Sequence, residues 1–397
     1  MNILLVEPNI PLTYPNLALM KISARHKKKG HQVHYVKGLL PSTSNDMFGD
    51  DLYKPDIIYI STLFTYQSAR TIECINYYKD NFQDAKILVG GIFATLMPDY
   101  IEEKTGIKPF IGFSSNLDKI KPDYSLYEEF IKYSPKIQRW ENFSMIFTTR
   151  GCPRSCKFCA VKRLEPRTEI IENWKDLIDY DKKHIMVYDN NLTAMPKEHF
   201  KEVVNFLAEK RLITCFHNGF DVRLLDDEKI EMLSKIRWQE NGLRLAFDNM
   251  TEDGYLQDAI KKLRKLGVPK YAFMVFVLFN FQDDFDEAMY RATEVRELGV
   301  RPYPQIFKPL NALDNKIFVS EKWTADLARE FRYYWLMAKD FKKKTFSQFL
   351  AEKGKRFETF CLRVVLFSHY RIFWVFIERY RPIWCNLNVV RIIFPLP

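Results

Sequence analysis

No stretch of about 18 uncharged apolar residues occurs anywhere in the 397-residue sequence, which excludes an ordinary membrane-spanning helix. No basic stretch precedes the first apolar run. "MNILLVEPNI" is stopped early by Glu7 and Pro8, and it reads as a first β-strand rather than a secretion signal. The seven cysteines are odd in number and three of them crowd into one loop, a poor inventory for disulfides. A reducing cytoplasm is the expected setting, because thiolates there stay available to metals. GxGxxG is absent, so a dinucleotide fingerprint is not supported. No RRM or KH signature occurs, and no basic tract with interleaved aromatics stands clear of the rest.

What is present points to a folded, multi-domain chain. Hydrophobic residues make up 47% and aromatics 15%, enough for a large core. Sixty Lys and Arg against 50 Asp and Glu give a net charge of +10. That excess favours a polyanion, an anionic membrane surface or an acidic partner, but it is spread along the chain and selects none of them.

Over residues 1–115, short apolar segments alternate with helical patterns. Strands are expected at 2–6, 31–36, 56–62, 86–91 and 108–113, with helices at 16–29 and 68–82. Such alternation predicts an open parallel α/β sheet with helices on both faces. Ligands of these sheets sit beyond the carboxyl ends of the strands, here marked by Ser61, Gly90 and Gly91, with Thr62 and Gly112 beside them. Gly90-Gly91 reads equally well as a tight turn. Residues 116–142 read as a linker. A second β/α series follows over 143–310, with strands near 144–149, 184–188, 213–217, 243–247, 271–279 and 302–306. Six units are too few for an eightfold barrel and enough for a partial (β/α)6 TIM-like barrel. The remainder, 311–397, reads as a helical region. Its aromatic, arginine-punctuated tail at 361–394 is expected to cap the barrel or form an interface, with peripheral membrane contact as the alternative.

The most informative stretch is "TTRGCPRSCKFCAVKR" at 148–163. Cys152, Cys156 and Cys159 form CxxxCxxC directly after the strand "SMIFTTR". Thiolates are soft ligands that select zinc, copper(I) or iron–sulfur clusters. A structural zinc site wants a fourth Cys or His. The next histidine, His184, starts the following strand and belongs at the opposite end of the barrel. Cys74, Cys215, Cys361 and Cys385 are isolated and read as buried apolar residues. Three thiolates on a [4Fe–4S] cluster leave one iron open, and an open coordination position is where a substrate or cofactor enters. Arg150, Arg154, Lys157, Lys162 and Arg163 surround the cysteines and favour thiolate over thiol.

In this arrangement the sequence resembles the radical S-adenosylmethionine (SAM) enzymes. "RGCPRSCKFC" is very similar to their cluster loop, including the aromatic Phe158 before the last cysteine. The resemblance implies that Cys152, Cys156 and Cys159 hold a [4Fe–4S] cluster whose fourth iron is chelated by SAM. It also implies reductive cleavage of SAM to methionine and a 5′-deoxyadenosyl radical that abstracts hydrogen from a substrate. An external electron donor of the flavodoxin or ferredoxin type is a further implied partner. By the same resemblance, Asp189 and Asn190 at the end of the second barrel strand stand where relatives receive the SAM amino group. Arg223 stands where its carboxylate is met, and Asp248, followed by Asn249, where the ribose or substrate is bound. Each acid also reads as the cap of the next helix. The N-terminal domain resembles the cobalamin-binding domains fused to many such enzymes, which leaves cobalamin-dependent methyl transfer open, but the Asp-x-His-x-x-Gly signature is missing. Two other readings stand beside this one: a radical SAM enzyme that modifies RNA, and a non-enzymatic iron–sulfur or zinc redox or scaffold protein. The sequence does not select the substrate.

Overall fold

The computed structural model describes residues 1–11, 14–40, 54–128, 138–337 and 344–354. Residues 1–332 form one compact unit and residues 333–397 a second.

The N-terminal part follows the expected alternation: β1 (Asn2–Glu7), α1 (Leu17–Lys27), β2 (Gln32–Lys37), β3 (Ile57–Thr62), α2 (Ser68–Asn81) and β4 (Lys86–Gly91). The strands pair in parallel in the order β2-β1-β3-β4. β1 is central and covered on both faces, which is why Ile3, Leu4, Leu5 and Val6 are all apolar and fully buried. Asn16 caps α1, its side chain accepting from the Leu19 N–H at 3.2 Å. Short helices α3 (Ile92–Leu96) and α4 (Pro98–Thr105) follow β4 directly.

Two expectations need correction here. Residues 108–113 do not form a strand. Phe110 N donates to Val89 O at 2.8 Å, but Pro109 lacks an N–H and Gly112 turns the chain at φ +83°. The stretch expected as a linker is, where described, tightly packed. It contains α5 (Ser115–Asp118), and Asp118 forms ion pairs with both Lys21 and Arg150. The Tyr124 hydroxyl accepts from Met145 N at 2.7 Å, and Tyr127 hydrogen-bonds the buried Glu7.

The second series runs β5 (Phe143–Ile146), β6 (Thr149–Arg150), α6 (Val161–Leu164), β7 (Glu169–Ile170), β8 (His184–Val187), α7 (Lys197–Glu209), β9 (Ile213–Phe216), α8 (Asp227–Ser234), β10 (Leu243–Ala246), α9 (Tyr255–Lys265), β11 (Phe273–Phe279), α10 (Phe285–Glu297), β12 (Arg301–Ile306) and α11 (Ala325–Arg332). β5-β8-β9 and β10-β11-β12 are parallel sheets, each in sequence order. A Phe220–Leu245 bridge and the 2.9 Å bond from Phe216 N to Gly242 O join them. Side chains alternate along each strand: Leu243, Leu245 and Phe247 face the helices and are fully buried, whereas Arg244, Ala246 and Asp248 take the other face. The helices answer with apolar stripes, such as Phe200, Val203, Val204 and Leu207 on α7.

The N-terminal part packs against β5. Tyr14 and Leu17 lie against Phe143, Met145, Met186 and Cys215, and the Tyr14 ring stacks on Trp140 at 4.6 Å. Residues 311–324 contain turns rather than helix. In the second unit, a helical turn at Tyr333–Met337 precedes a helix over 346–354, where Phe349 packs 5.4 Å from Tyr334. The aromatic tail at 361–394 lies outside the described residues.

Candidate active site

β6 pairs antiparallel with β7 just beyond the carboxyl end of β5, and the cysteine loop leaves from this pair. Gly151 makes the exit. Its φ is +76°, and a Cβ there would fall 2.1 Å from the Arg167 carbonyl oxygen, so only glycine fits. Gly151 N donates to Glu165 Oε2 at 2.6 Å, while Glu165 Oε1 pairs with Arg150 at 2.9 Å. The returning loop is thereby fastened to its own entry.

Cys152, Cys156 and Cys159 are free and half-buried, and a 3.0 Å bond from Cys159 N to Cys156 O closes the turn between the last two. Burial pushes the Cys156 thiol up, the neighbouring Cys152 adds to this, and Arg223 and Arg154 oppose it. Burial likewise raises Cys159, with contributions from Cys156 and Cys152. The three sulfurs therefore share one electrostatic environment. Asn191 Nδ2 donates to Cys152 Sγ at 3.7 Å, and Thr193 Oγ1 fixes the Asn191 side chain at 2.6 Å. Among the described residues, no three His, Cys, Asp or Glu side chains gather in the manner that would hold a single metal ion. The donor set itself, three accessible thiols of one loop with guanidinium groups beside them, fits the chemistry of a thiolate-held cluster. His184 opens β8, in register with Phe143 at the start of β5, and so lies at the far end of the strand from the cysteines. Cys74 and Cys215 are 2% and 3% exposed, in keeping with a packing role.

An ion-pair chain extends from this loop across the strand ends. Arg154 pairs with Asp221, whose other oxygen holds Arg223 Nε at 2.9 Å. Arg223 continues to Glu252 at 3.3 Å and to Thr251 Oγ1 at 3.0 Å. Glu252 in turn accepts from Asp248 N at 2.5 Å. Burial, reinforced by Glu252, raises the Asp248 carboxyl to about 7. Arg223 and Asp248, expected beyond β9 and β10, both act electrostatically on Cys156. Phe158 closes the other side. Its ring meets Phe281 edge-on at 5.8 Å, and Phe281 lies 4.6 Å from Phe307, tying the loop to the exits of β11 and β12.

Asp189 does not meet them in the expected way. It is buried, and its carboxylate accepts from Thr148 N at 2.6 Å, Thr149 N at 3.0 Å and Thr148 Oγ1. Burial raises it to about 6 against the pull of these bonds. It joins the end of β8 to the end of β5, and a carboxylate so engaged has little left for an incoming ammonium. Asn190 lies closer to the loop and donates to Glu165 at 2.7 Å. Glu165 is the residue that sequence reasoning missed. It follows a run of basic residues, and only its return to Gly151 reveals its role.

At the N-terminal sheet, Ser61 and Gly90 are register partners, and Asn16 Nδ2 donates to Ser61 Oγ at 2.7 Å. Gly91 has φ +111°, and a Cβ there would fall 2.2 Å from Thr62 O. Its smallness serves the approach of β3 to β4. A Cβ at Gly90 would meet Phe110 at an ordinary 3.7 Å. These glycines open no cradle, so the expectation of a ligand beside Ser61, Gly90 and Gly91 gains nothing from them. This sheet end instead abuts the cysteine loop, where Arg163 Nη2 donates to Leu96 O at 2.9 Å, and the β12 exit, where Ser68 Oγ donates to Leu313 O at 2.7 Å.

No protein-family model matches the chain. No curated protein matches it either. Among solved structures, the chain is similar to crystal structures of two variants of SsGBP. One shows 12% identity over 77% of this chain and 90% of the other, with a TM-score of 0.15. The second shows 11% identity over 85% and 99%, with a TM-score of 0.17. Likeness at that level carries no argument about fold or function.

Proposed function

We propose that this chain is a radical SAM enzyme built on a partial (β/α)6 barrel. The observation that carries the reading is three free, half-buried thiols on one loop just beyond the carboxyl end of β5, the first strand of two successive three-stranded parallel sheets. The residues fit a [4Fe–4S] cluster on Cys152, Cys156 and Cys159, and bound SAM would there supply a 5′-deoxyadenosyl radical for hydrogen abstraction from a C–H bond. The chain's own contribution is binding and orientation. Arg154 and Arg223 offset the negative charge of the thiolates, and Asn191 donates to the Cys152 sulfur. Phe158 packs the loop against the β11 and β12 exits, which restricts water on that side. Asn190 and the chain around it are the nearest counterpart of an amino-group subsite, since Asp189 is engaged with Thr148 and Thr149. Asp248, on the inner face beside the thiols, is placed to accept from a ribose hydroxyl or from substrate. Electrons come from a flavodoxin- or ferredoxin-type donor, and a reducing, cytoplasmic compartment suits the free, half-buried thiols.

The test is anaerobic iron–sulfur reconstitution followed by dithionite reduction with SAM. Methionine and 5′-deoxyadenosine are followed by mass spectrometry, in wild type and Cys156→Ala, with and without cobalamin. Slow deoxyadenosine formation lost in the variant supports the proposal. A loaded cluster without SAM cleavage, or zinc in place of iron, overturns it. A methyl product that requires cobalamin would reopen the role of the N-terminal sheet.

A further inference from the structure

The inner face of the six-strand arc is filled at one level and partly accessible at the next. Met145, Met186 and Cys215 are 0–3% exposed, with Tyr14 and Trp140 packed against them. One step toward the carboxyl ends, Tyr188, His217, Ala246, Phe276 and Tyr303 are only partly buried, and Gln305 is exposed. The outward neighbours Val187, Leu245, Val275 and Val277 are fully buried. Alternation of this kind on β8, β10 and β11 leaves the inner-face side chains partly accessible below Asp248 and the cysteine loop, although Tyr14 still packs on the His217 ring at 4.9 Å.

Arg244 stands on this face, 9% exposed. Its Nη1 donates to His217 O at 2.6 Å and contacts His217 Nδ1 at 3.3 Å, and its Nε donates to Asn241 O at 3.2 Å. Its guanidinium lies 5.9 Å from the centre of the Phe276 ring. No described carboxylate pairs with it, whereas buried Arg291 has Asp283 and the half-buried Arg150 has Asp118 and Glu165. The His217 ring supplies no negative charge, since burial and Arg244 itself keep it neutral. A guanidinium cannot shed its proton at any ordinary pH, and an unpaired buried charge is costly.

We infer that Arg244 anchors an oxyanion, a carboxylate or a phosphate, at the inner end of the substrate. The inference rests on the proposed function for the word substrate. The anion site itself stands on the geometry alone. Tyr188, Phe276 and Tyr303 provide aromatic walls, and Nη2, which donates to no described residue, is the free arm of the fork. Arg244 and Asp248 share the inner face four residues apart, a rise of about 13 Å. A molecule held at Arg244 therefore reaches the thiol end of the site if it is roughly 10 Å long, the size of a small phosphorylated or carboxylated metabolite rather than a polymer.

The test uses the full-length chain, as isolated and after anaerobic reconstitution, without SAM. Inorganic phosphate and sodium benzoate are titrated at constant ionic strength, with chloride as the control, following thermal melting and calorimetric binding. Wild type should respond saturably to at least one probe, and which probe it prefers assigns phosphate or carboxylate. Arg244→Gln should bind that probe at least about tenfold more weakly, as expected for loss of a charge-assisted bond, and Arg244→Lys should bind with intermediate strength. Arg244→Gln alone should melt no lower than wild type, since it removes an unpaired charge. Failure of wild type to respond beyond chloride overturns the inference, as does an undiminished response in Arg244→Gln. If Arg244→Gln does not fold, wild type against Arg244→Lys decides in the same way. An anion response in protein that cleaves no SAM leaves this site standing and removes the radical reading. SAM cleavage without an anion response does the reverse.

Discussion

Arg154, in the middle of the cysteine loop, is ion-paired with Asp221, five residues beyond the end of β9. Asp221 also holds Arg223, so one buried carboxylate sets both guanidinium groups that act on Cys156. Asp221→Asn keeps the shape and removes the charge. The two arginines would then repel each other and lose their fixed direction, at an expected cost of about 1–3 kcal/mol, the range for a charged hydrogen bond in a partly exposed setting. Iron bound per chain after reconstitution should fall together with the melting temperature. Unchanged iron loading at an unchanged melting temperature would show that the pair does not hold the loop.

Gly151 and Gly254 offer a matched comparison. Both have left-handed φ, +76° and +81°, but a Cβ at Gly151 would strike the Arg167 carbonyl whereas one at Gly254 meets nothing within 4 Å. Gly254→Ala should cost about 1–2 kcal/mol from backbone strain alone. Gly151→Ala should cost more than about 2 kcal/mol and impair cluster retention, because the loop exit must move. Urea midpoints of the two variants, with iron content, check this. Equal costs would mean that the β6–β7 turn adjusts freely.

Much of this architecture was legible in the sequence for a physical reason: central parallel strands must be apolar throughout. "NILLV" and "DIIYIST" announced β1 and β3 because both faces of each are covered. Residues 108–113 misled because an apolar segment resembles a strand until Pro109 and Gly112 are given their backbone meaning. CxxxCxxC was legible because three ligand-type residues within one loop are rare by accident. Asp189 stands at a strand end as expected, but sequence position does not say that its carboxylate accepts from the two threonine N–H groups beyond β5. Glu165 and Arg244 carry no local pattern at all. Their meaning is in what lies across from them, and only the folded chain supplies that.

Phe158 should behave as an anchor of the loop rather than as part of the global core. It is half-buried, and its one described aromatic neighbour is Phe281. Phe158→Ala should cost about 1 kcal/mol of stability, the scale of one aromatic pair beyond its burial. Deoxyadenosine formation should drop more, by about tenfold, as the loop loses its tie to the β11 exit. Phe158→Tyr, which keeps the ring, should restore most of the rate. A drop in activity matched by the tyrosine variant would show instead that the position is chemically sensitive and not an anchor.

His26 sets an acid limit on stability far from the cysteines. It is 6% exposed, its Nδ1 lies 2.8 Å from His31 Nδ1, and its Nε2 lies 3.0 Å from the Tyr59 hydroxyl. Burial, followed by the charges of His31, Lys29 and Arg25, lowers it from 6.5 to about 4. The folded chain therefore binds this proton less readily than the unfolded chain. Stability from this group is fully present above pH 6.5 and is lost as pH falls through about 4. The full swing is about 2–3 kcal/mol at one pKa unit per 1.36 kcal/mol, less some screening at the edge of the pair. His26→Gln keeps a polar side chain that can reach Tyr59 and does not titrate. Urea midpoints measured from pH 7.5 down to pH 4 should fall less steeply for this variant than for wild type, with the two curves separating below pH 6.5. Parallel curves over that window would mean that His26 is no less ready to take up a proton in the folded chain than in the unfolded one.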